Sequence, residues 1–580
     1  MKRGVIILLT VLLLAAFATA QDQYHLTLLA VQETDDGLVG SSADLYLELI
    51  PGNGRVFLDT FPATKVDTQF STRFAKEIAC KHFKLDCNRY DFIYTIKSDT
   101  SIIGGPSAGA AMAALTTIAV SDLDYTEEIA ITGTINSGAI IGPVGGVKQK
   151  IEAAAGNNLK KVLIAKGTAK VPPKDNETEG LDLIAYGKDN LSIDVEEVLT
   201  LDEVVFQLTG EELNNKPFSL EENPQYQAIM KGLQEALCQR TGEIEADSFG
   251  VNLNNDTIKT IAKRKASMEN STSQGDYYSA ASFCFANNIQ LKREFYQHKQ
   301  LSPEAMLNII NGLSKKVDLT EEKVRQEKIE TISDLQALMV VQERLHDVRQ
   351  QVKTFTEDNL TKEEQYNLLA YAEERFYSAL AWMQFFNMDG ARIVVDDDLL
   401  KISCQQKISE AEERYQYASL FLSQFQVGHL NDKNDEARAA LNHNETALCL
   451  IIASQAKADA NAILSSFGLT NETEQDLFNS KKEAAGRIIF ENSQQGVFPI
   501  LGYSYYQYAQ ALQTDELPTS LVYLEYALEM SDFSIYFPEE MTTASRIGEF
   551  ILQKEIMLLL EGFALGVLIT LVLVFMKKKK

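Results

Sequence analysis

The sequence predicts an α+β domain, then a large all-α domain built as a multi-helix bundle or a solenoid, and a C-terminal transmembrane helix. Seven of the twelve prolines fall within the first 217 residues, where apolar strand-like segments alternate with helical ones. Between Pro224 and Pro499 the only proline is Pro303, and long segments repeat apolar residues at helical spacing. Residues 556–576 are apolar except for Glu561, and their length suits one membrane span.

The two ends of the chain predict its topology. Residues 1–20 combine a charged start, an apolar run and a small-residue ending, which is typical of a secretory signal peptide cleaved after Ala20. A retained membrane anchor is the alternative interpretation, but the apolar run is short for a span. The lysines at 577–580 should stay cytoplasmic. The chain between these ends is therefore predicted to be extracytoplasmic and held at the cell membrane by one C-terminal helix.

Composition divides the region between the ends into two domains. The α+β domain is expected over residues 21–212, with strands at 25–31 and 43–50. The helical domain is expected over residues 218–552, and it includes periodic segments at 320–352 and 362–386. Aromatic residues collect late in the helical domain. They are interpreted mainly as core, and the alternative is a groove that receives unfolded protein segments.

Ser107 is a candidate nucleophile. Residues 104–110 read Gly-Gly-Pro-Ser-Ala-Gly-Ala and continue into small apolar residues, which predict a buried helix over 108–120. Gly105 and Pro106 force a turn that should place Ser107 at the start of this helix. The backbone N–H groups there, near Ala108, and the positive end of the helix dipole would stabilise an oxyanion. A structural helix cap is the alternative, since serine is a common N-cap residue.

Lys150 is a candidate base. Gly145-Gly146 precede a short predicted helix on which Lys150 shares a face with Val147, Ala153 and Ala154. Lys148 instead shares its face with Ile151 and Glu152, where an ion pair in solvent is expected. Lys150 therefore points toward apolar surroundings, which lower the pKa of a lysine and allow it to accept a proton from serine. A solvated helix lysine is the alternative.

Three motifs in this order resemble the proteolytic domain of the Lon-type serine peptidases, and in particular membrane-anchored archaeal members without the ATPase module. The motifs are GPSAGAAMA around Ser107, ITGTI at 131–135 and PVGGVKQK ending at Lys150. The resemblance runs from about residue 25 to about residue 210. It takes in a helix at 71–83, a strand at 90–96 and a closing segment at 195–210.

The Lon-type resemblance implies a Ser–Lys dyad, with Ser107 as nucleophile and Lys150 as general base. Thr132 matches the threonine whose hydroxyl supports that lysine. The resemblance also implies assembly into homo-oligomeric rings. Many members carry an acidic residue three positions before the serine, where this chain has Gly104, so the way the site is held differs here.

Other chemistries find little support in the sequence. No GxxxxGK[ST] loop occurs, so proteolysis is expected to need no nucleotide cofactor. No HExxH or clustered Cys/His pattern indicates a metal. The glycine-rich loop before Ser107 could cradle phosphate, as in the GHMP small-molecule kinases, but no further motif of those kinases is evident. A net charge of −27 argues against binding to nucleic acid.

Cysteines and glycosylation sequons agree with export. Six cysteines permit disulfides in an oxidising compartment, and Cys80 and Cys87 are the nearest pair. Buried free thiols are the alternative. The N-x-S/T sequons that could accept glycans are at Asn176, Asn190, Asn255, Asn270, Asn359, Asn444 and Asn471.

These features together predict a membrane-anchored, extracytoplasmic, ATP-independent serine endopeptidase that cleaves unfolded or flexible polypeptides. The alternative function is a non-catalytic receptor or scaffold that retains the peptidase fold and binds partners through its helical domain.

Overall fold

A computed structural model describes residues 23–34, 37–61, 63, 66–98, 106–171, 180–213, 218–248, 250–251, 253–422, 424–466, 474–537, 562–563 and 566–567. The predicted signal peptide at 1–20 lies outside the described residues. The same holds for all but four residues of the predicted transmembrane helix at 556–576 and for the lysines at 577–580.

The first part of the chain begins with a four-stranded sheet. In space the strands follow the order β1-β2-β4-β3, in which β3 runs parallel to β4 and the other pairs are antiparallel. The strands are β1 Gln23–Thr34, β2 Gly37–Pro51, β3 Val56–Phe61 and β4 Tyr90–Ser98. The two strands expected at 25–31 and 43–50 are both present, as the central part of β1 and the second half of β2. Alternating apolar residues bury one face of this sheet, among them Leu26, Leu45 and Leu47.

A second, parallel sheet follows in the order β11-β8-β5. Two short hairpins accompany it. The strands are β5 Ile129–Thr132, β6 Thr134–Ile135, β7 Ile141–Gly142, β8 Lys161–Ala165, β9 Lys170–Val171, β10 Leu181–Asp182 and β11 Asp194–Val198. The helices of this part are α1 Val66–His82, α2 Gly109–Ser121, α3 Val147–Gly156, α4 Leu183–Tyr186 and α5 Leu201–Thr209. This mixed arrangement agrees with the expected α+β class.

Helix α2 is the central element of this part. Every residue from Gly109 to Ala119 is buried, since α2 packs against α1, α5 and strands of both sheets. A helix that is apolar all round needs such enclosure. It ends where Asp122 adopts a left-handed conformation (φ 51°). This burial holds α2, the helix that follows Ser107, in a fixed position.

From Pro224 onward the regular elements in the described residues are helices. They are α6 Pro224–Asp247, α7 Asn255–Ser273, α8 Tyr277–Lys299, α9 Pro303–Val324, α10 Ile332–Glu357, α11 Lys362–Trp382, α12 Asp397–Phe421, α13 Gln424–Asn442, α14 Thr446–Ser466, α15 Glu474–Gln494, α16 Ile500–Leu512 and α17 Leu517–Ser531. They share one large core in which aromatic side chains such as Trp382 and Phe385 are buried. The all-helical prediction for this part is therefore confirmed.

The continuous periodic segment expected at 320–352 is divided in the structure. Helix α9 ends at Val324, and α10 begins at Ile332. The restart is encoded by a capping box, in which the Thr331 hydroxyl accepts from the Asp334 N–H and the Asp334 carboxylate accepts from the Thr331 N–H.

All six cysteines form disulfides: Cys80–Cys87, Cys238–Cys284 and Cys404–Cys449. The first closes the turn between α1 and β4, as the spacing suggested. The other two each join a pair of helices. Disulfides persist in oxidising compartments.

One helix in the described part, α14, is long and apolar enough to cross a membrane by length and composition. Most of its residues are buried in the core of the helical part, however, which accounts for its apolar character.

The helical part packs directly against the mixed part. Lys81 of α1 donates to Asp532 at 2.6 Å and to Ser534 at 2.8 Å. The turn between β6 and β7 inserts Ile140 into the large helical core. Gly138 in that turn has φ +72°, and a Cβ there would lie 2.8 Å from the Leu528 side chain. The turn is therefore shaped to fit against the helices.

Candidate active site

Ser107 lies in a 3₁₀ turn, Pro106–Ala108, that leads into α2. The sequence placed Ser107 at the start of a helix over 108–120, and the regular α-helix begins two residues later, at Gly109. Pro106 fixes φ and opens the turn, which leaves Ser107 half-buried rather than enclosed in the helix. Gly105, predicted to shape the turn and the oxyanion site, lies outside the described residues. Ala108 is the N-cap residue of α2.

The serine turn is tied to the end of strand β5. The Gly133 N–H donates to the Ser107 carbonyl at 3.1 Å, and the Ala110 N–H donates to the Gly133 carbonyl at 3.1 Å. These reciprocal backbone hydrogen bonds fix Ser107 beside Gly133, whose chain neighbour is Thr132.

Lys150 is on α3 and is 2% exposed. Its Nζ donates to the Thr132 hydroxyl at 3.1 Å, and Thr132 is also buried. Burial lowers the pKa of Lys150 from its usual 10.5 to about 7, because the ammonium loses its water and no acidic partner among the described residues offsets that loss. At neutral pH a large fraction of this amine is therefore uncharged and able to accept a proton.

The neighbouring lysine behaves as the helix spacing predicted. Lys148 is half-exposed, and its ammonium lies 3.3 Å from the Glu152 carboxylate. The expected ion pair is confirmed. Ile151, assigned to the same outward side, is instead fully buried. The helix thus buries Val147, Lys150, Ile151 and Ala154 together, whereas Ala153, which the sequence placed on the inward face, is only half-buried.

The entry of α3 depends on Gly146. This residue caps the helix at φ +67°, and a Cβ on it would lie 2.6 Å from the Val31 side chain of β1. Strand β1 therefore approaches the start of α3 closely enough to fix the helix that carries Lys150.

Ser107 and Lys150 are anchored on two adjacent residues, Gly133 and Thr132. In the described residues the Lys150 ammonium donates to Thr132 and makes no hydrogen bond to the Ser107 hydroxyl, so the direct bond that a dyad suggests is absent from this arrangement. Proton transfer would require Nζ to turn from Thr132 toward Ser107. Catalytic hydrogen bonds are often loose without substrate. The catalytic roles of Ser107, Lys150 and Thr132 stay predictions.

One contact near the site had no signal in the sequence. Asn136 follows Gly133 by three residues and is buried, and its side-chain oxygen accepts from Arg414 of α12 at 2.7 Å. The two residues are 278 positions apart. Asn136 lies beside the polar Thr134 and Ser137 in the hairpin, and Arg414 belongs to a charged helix face, so neither residue indicated the contact.

A metal centre does not arise from the described residues, which contain no group of three or more His, Cys, Asp or Glu side chains that could hold an ion. The groups linked to the Ser107 turn through Gly133 are the Thr132 hydroxyl and the Lys150 amine. These groups suit nucleophilic and acid–base chemistry.

Comparison with known proteins identifies residues 98–209 with the family model described as the Lon protease (S16) C-terminal proteolytic domain. Lon protease 2 of Borreliella burgdorferi is 37% identical over 100 residues, which are 17% of this chain and 11% of that relative. Lon protease 2 of Bacillus subtilis is 34% identical over 122 residues, 21% of this chain and 20% of that relative. Lon protease of Methanosphaera stadtmanae is 34% identical over 119 residues, 20% of this chain and 13% of that relative.

The chain spans a fifth or less of the length of these relatives. The family match begins at residue 98, and the resemblance seen in the sequence began near residue 25. The four-stranded sheet of β1–β4 therefore lies almost wholly before the matched segment. Ser107, Thr132 and Lys150 all lie within the matched segment, residues 98–209.

Proposed function

Because residues 98–209 carry a proteolytic domain of the Lon family, we propose that this chain is a serine endopeptidase with a Ser107–Lys150 dyad. One observation carries the proposal. Lys150 is buried with a pKa of about 7 and bonded to Thr132, next to the residue that fixes the Ser107 turn. A structural or solvated lysine has no need of such a site, because burying an amine without an acidic partner costs stability.

In the proposed reaction neutral Lys150 accepts the proton of Ser107 while the serine oxygen attacks the peptide carbonyl. The oxyanion that forms lies at the N-terminal end of α2, where the helix dipole and the N–H near Ala108 stabilise negative charge. Protonated Lys150 then gives its proton to the leaving amine, which leaves an ester on Ser107. Water, deprotonated by Lys150, hydrolyses the ester and restores the enzyme.

The substrates we propose are unfolded or flexible polypeptides. The sequence contains no GxxxxGK[ST] loop to bind ATP, so the chain itself offers no motor that would unfold a stable protein. We therefore propose that hydrolysis proceeds without nucleotide.

The proposed location is the extracytoplasmic side of the cell membrane. Three disulfides support an oxidising compartment. The five described sequon asparagines are all exposed, as glycan acceptors must be: Asn190, Asn255, Asn270, Asn359 and Asn444. The signal peptide and the C-terminal span expected from the sequence would give this topology.

A binding protein without activity is the second candidate, favoured by one observation: the helical part is larger than the proteolytic part and has a polar cavity of its own. Casein digestion separates the two functions. The full-length chain should cleave casein equally with and without ATP, and Ser107→Ala and Lys150→Arg should both lose nearly all activity, since guanidinium stays protonated. If Lys150→Arg retained wild-type turnover, the Ser–Lys mechanism would be wrong.

A further inference from the structure

A polar cavity of about 350 Å³ lies within the helical part, away from the proteolytic site. Helices α8, α10, α11, α13, α14, α16 and α17 contribute its walls, and none of its lining residues belongs to the proteolytic part. Cavities of this size hold small organic ligands or a few residues of a peptide.

Arg344 on α10 is the unusual group in the cavity wall. Its side chain is more than nine-tenths buried, and its guanidinium lies over the Trp382 ring. Nε donates to the Ser378 hydroxyl at 2.8 Å, and Nη1 is 3.5 Å from the Val340 carbonyl. Among the described residues Nη2 has no acceptor. A buried guanidinium is costly unless a carboxylate bonds to it directly, and the nearest carboxylate to Arg344, that of Glu343, is 4.0 Å away.

The carboxylates around the cavity are already engaged by other cations. Glu343 lies 4.0 Å from Arg344 but 2.6 Å from Arg375. The remaining close pairs are Arg375 with Asp347, His346 with Glu436 and Lys433 with Asp459. Arg344 is thus the cavity arginine with the most distant counter-ion, a Glu343 carboxylate that it shares with Arg375.

Three tyrosine hydroxyls add to the available donors. Tyr371 and Tyr526 donate to Asp347 and Asp459. By contrast, the hydroxyls of the lining residues Tyr278, Tyr505 and Tyr523 have no hydrogen-bond partner among the described side chains and backbone groups. Their rings pack against one another or against Tyr526 and Tyr508, which fixes their directions.

We propose that this cavity binds a carboxylate, either of a small organic acid or of a polypeptide C terminus. The Arg344 guanidinium supplies the opposite charge. The hydroxyls of Tyr278, Tyr505 and Tyr523 donate further hydrogen bonds to the carboxylate oxygens. Charge-assisted hydrogen bonds of this kind are about twice as strong as neutral ones, and arginine presents its N–H groups in the plane that a carboxylate requires.

Calorimetric titration of the full-length Ser107→Ala chain tests the proposal, because this variant cannot cleave the probes and binding is read apart from hydrolysis. The probes are acetyl-Ala-Leu with a free carboxylate, the same peptide as its amide, and succinate. The free acid should bind and the amide should not. Tighter binding of the peptide acid assigns the site to polypeptide C termini, and tighter binding of succinate assigns it to small acids.

Two further substitutions locate the bound carboxylate. Tyr505→Phe removes only a hydroxyl and should weaken binding roughly tenfold. Arg344→Gln should abolish it. The matched controls are Tyr506→Phe, on the same helix but outside the cavity lining, and Arg349→Gln, whose side chain pairs with Glu321 instead. The proposal is overturned if neither carboxylate binds at up to about 10 mM. It is also overturned if binding survives unchanged in both Tyr505→Phe and Arg344→Gln.

Discussion

Replacing Lys150 by methionine should stabilise the protein at neutral and acidic pH while abolishing hydrolysis. Lys150 is 2% exposed, and its pKa in the folded protein is about 7, against 10.5 when solvated. Between these two values the unfolded chain binds a proton that the folded chain does not hold. Stability is therefore lost as the pH falls from about 10.5 to about 7, and the loss is complete below that range.

The size of this penalty follows from the two pKa values. Their difference corresponds to about 5 kcal/mol of destabilisation at pH 6, where the cost is fully present. Methionine has a similar length and no charge, so it removes the penalty. It also leaves the buried Thr132 hydroxyl without its 3.1 Å partner, which costs about 1–3 kcal/mol. The net gain is expected to be about 2–4 kcal/mol at pH 6.

Scanning calorimetry of the wild type and Lys150→Met, with the disulfides intact, measures this effect. At pH 6 the melting temperature of the mixed part should be roughly 5–10 °C higher in Lys150→Met than in the wild type. The stability advantage of Lys150→Met should shrink by about 1.4 kcal/mol for each pH unit between 7 and 10, because in this range the unfolded wild-type chain binds one proton that the folded chain does not. A packing effect would not change with pH.

Lys148→Met is the matched control, since Lys148 is on the same helix, is 42% exposed and pairs with Glu152. This variant should change the transition by less than about 0.5 kcal/mol at every pH. A Lys150→Met variant that is less stable than the wild type at pH 6, or a difference that does not vary with pH, would refute the burial argument.

Two other predictions concern the domain contact and the topology. Arg414→Met should lower kcat for casein roughly 3- to 10-fold with little change in KM, because Asn136 loses its 2.7 Å partner beside the serine turn. The control Arg438→Met, on the exposed side of α13, should leave both constants unchanged. Equal loss in both variants would show that Arg414 does not position the site. Protease added outside intact cells should degrade the disulfide-bonded domains, whereas complete protection until lysis would reverse the proposed orientation.

The sequence predicted the parts of the site that depend on local rules. A proline in the Ser107 turn, a small-residue helix after it and the three- and four-residue spacing around Lys150 each act over a few residues. These features indicated which lysine is buried and where the serine turn lies. The all-helical second part was equally readable, because a near absence of proline and a sustained periodicity are local properties.

What the sequence could not show depends on long-range packing. Periodicity alone continued through 325–331, where one helix ends at Val324 and a capping box at Thr331 starts the next. Ile151 shares spacing with the half-exposed Lys148, yet it is buried in a cluster with Leu29 of β1 and Val162 of β8. The hydrogen bond from Arg414 to Asn136 joins two parts of the chain that no local pattern relates.

Buried charges near the contact between the two parts explain why the hydrogen bond from Arg414 to Asn136 forms in a single arrangement of the helices. Lys407 and Lys457 are both 1% exposed and pair with Glu529, and Lys457 lies 5.0 Å from the Phe74 ring of α1 in the mixed part. Buried ion pairs add little stability over apolar packing, but separating these helices would leave one of the charges unpaired at a cost of several kcal/mol, so we infer that the pairs hold α12, α14 and α17 in a single alignment. The pair that crosses to the mixed part is Lys81 with Asp532, whose side chain is 2% exposed, and it fixes that aligned group against α1. Because Lys407 and Arg414 are both on α12, that alignment also carries Arg414 onto Asn136. The helical part therefore acts as a fixed frame for the hairpin beside Ser107, not as a loosely tethered arm.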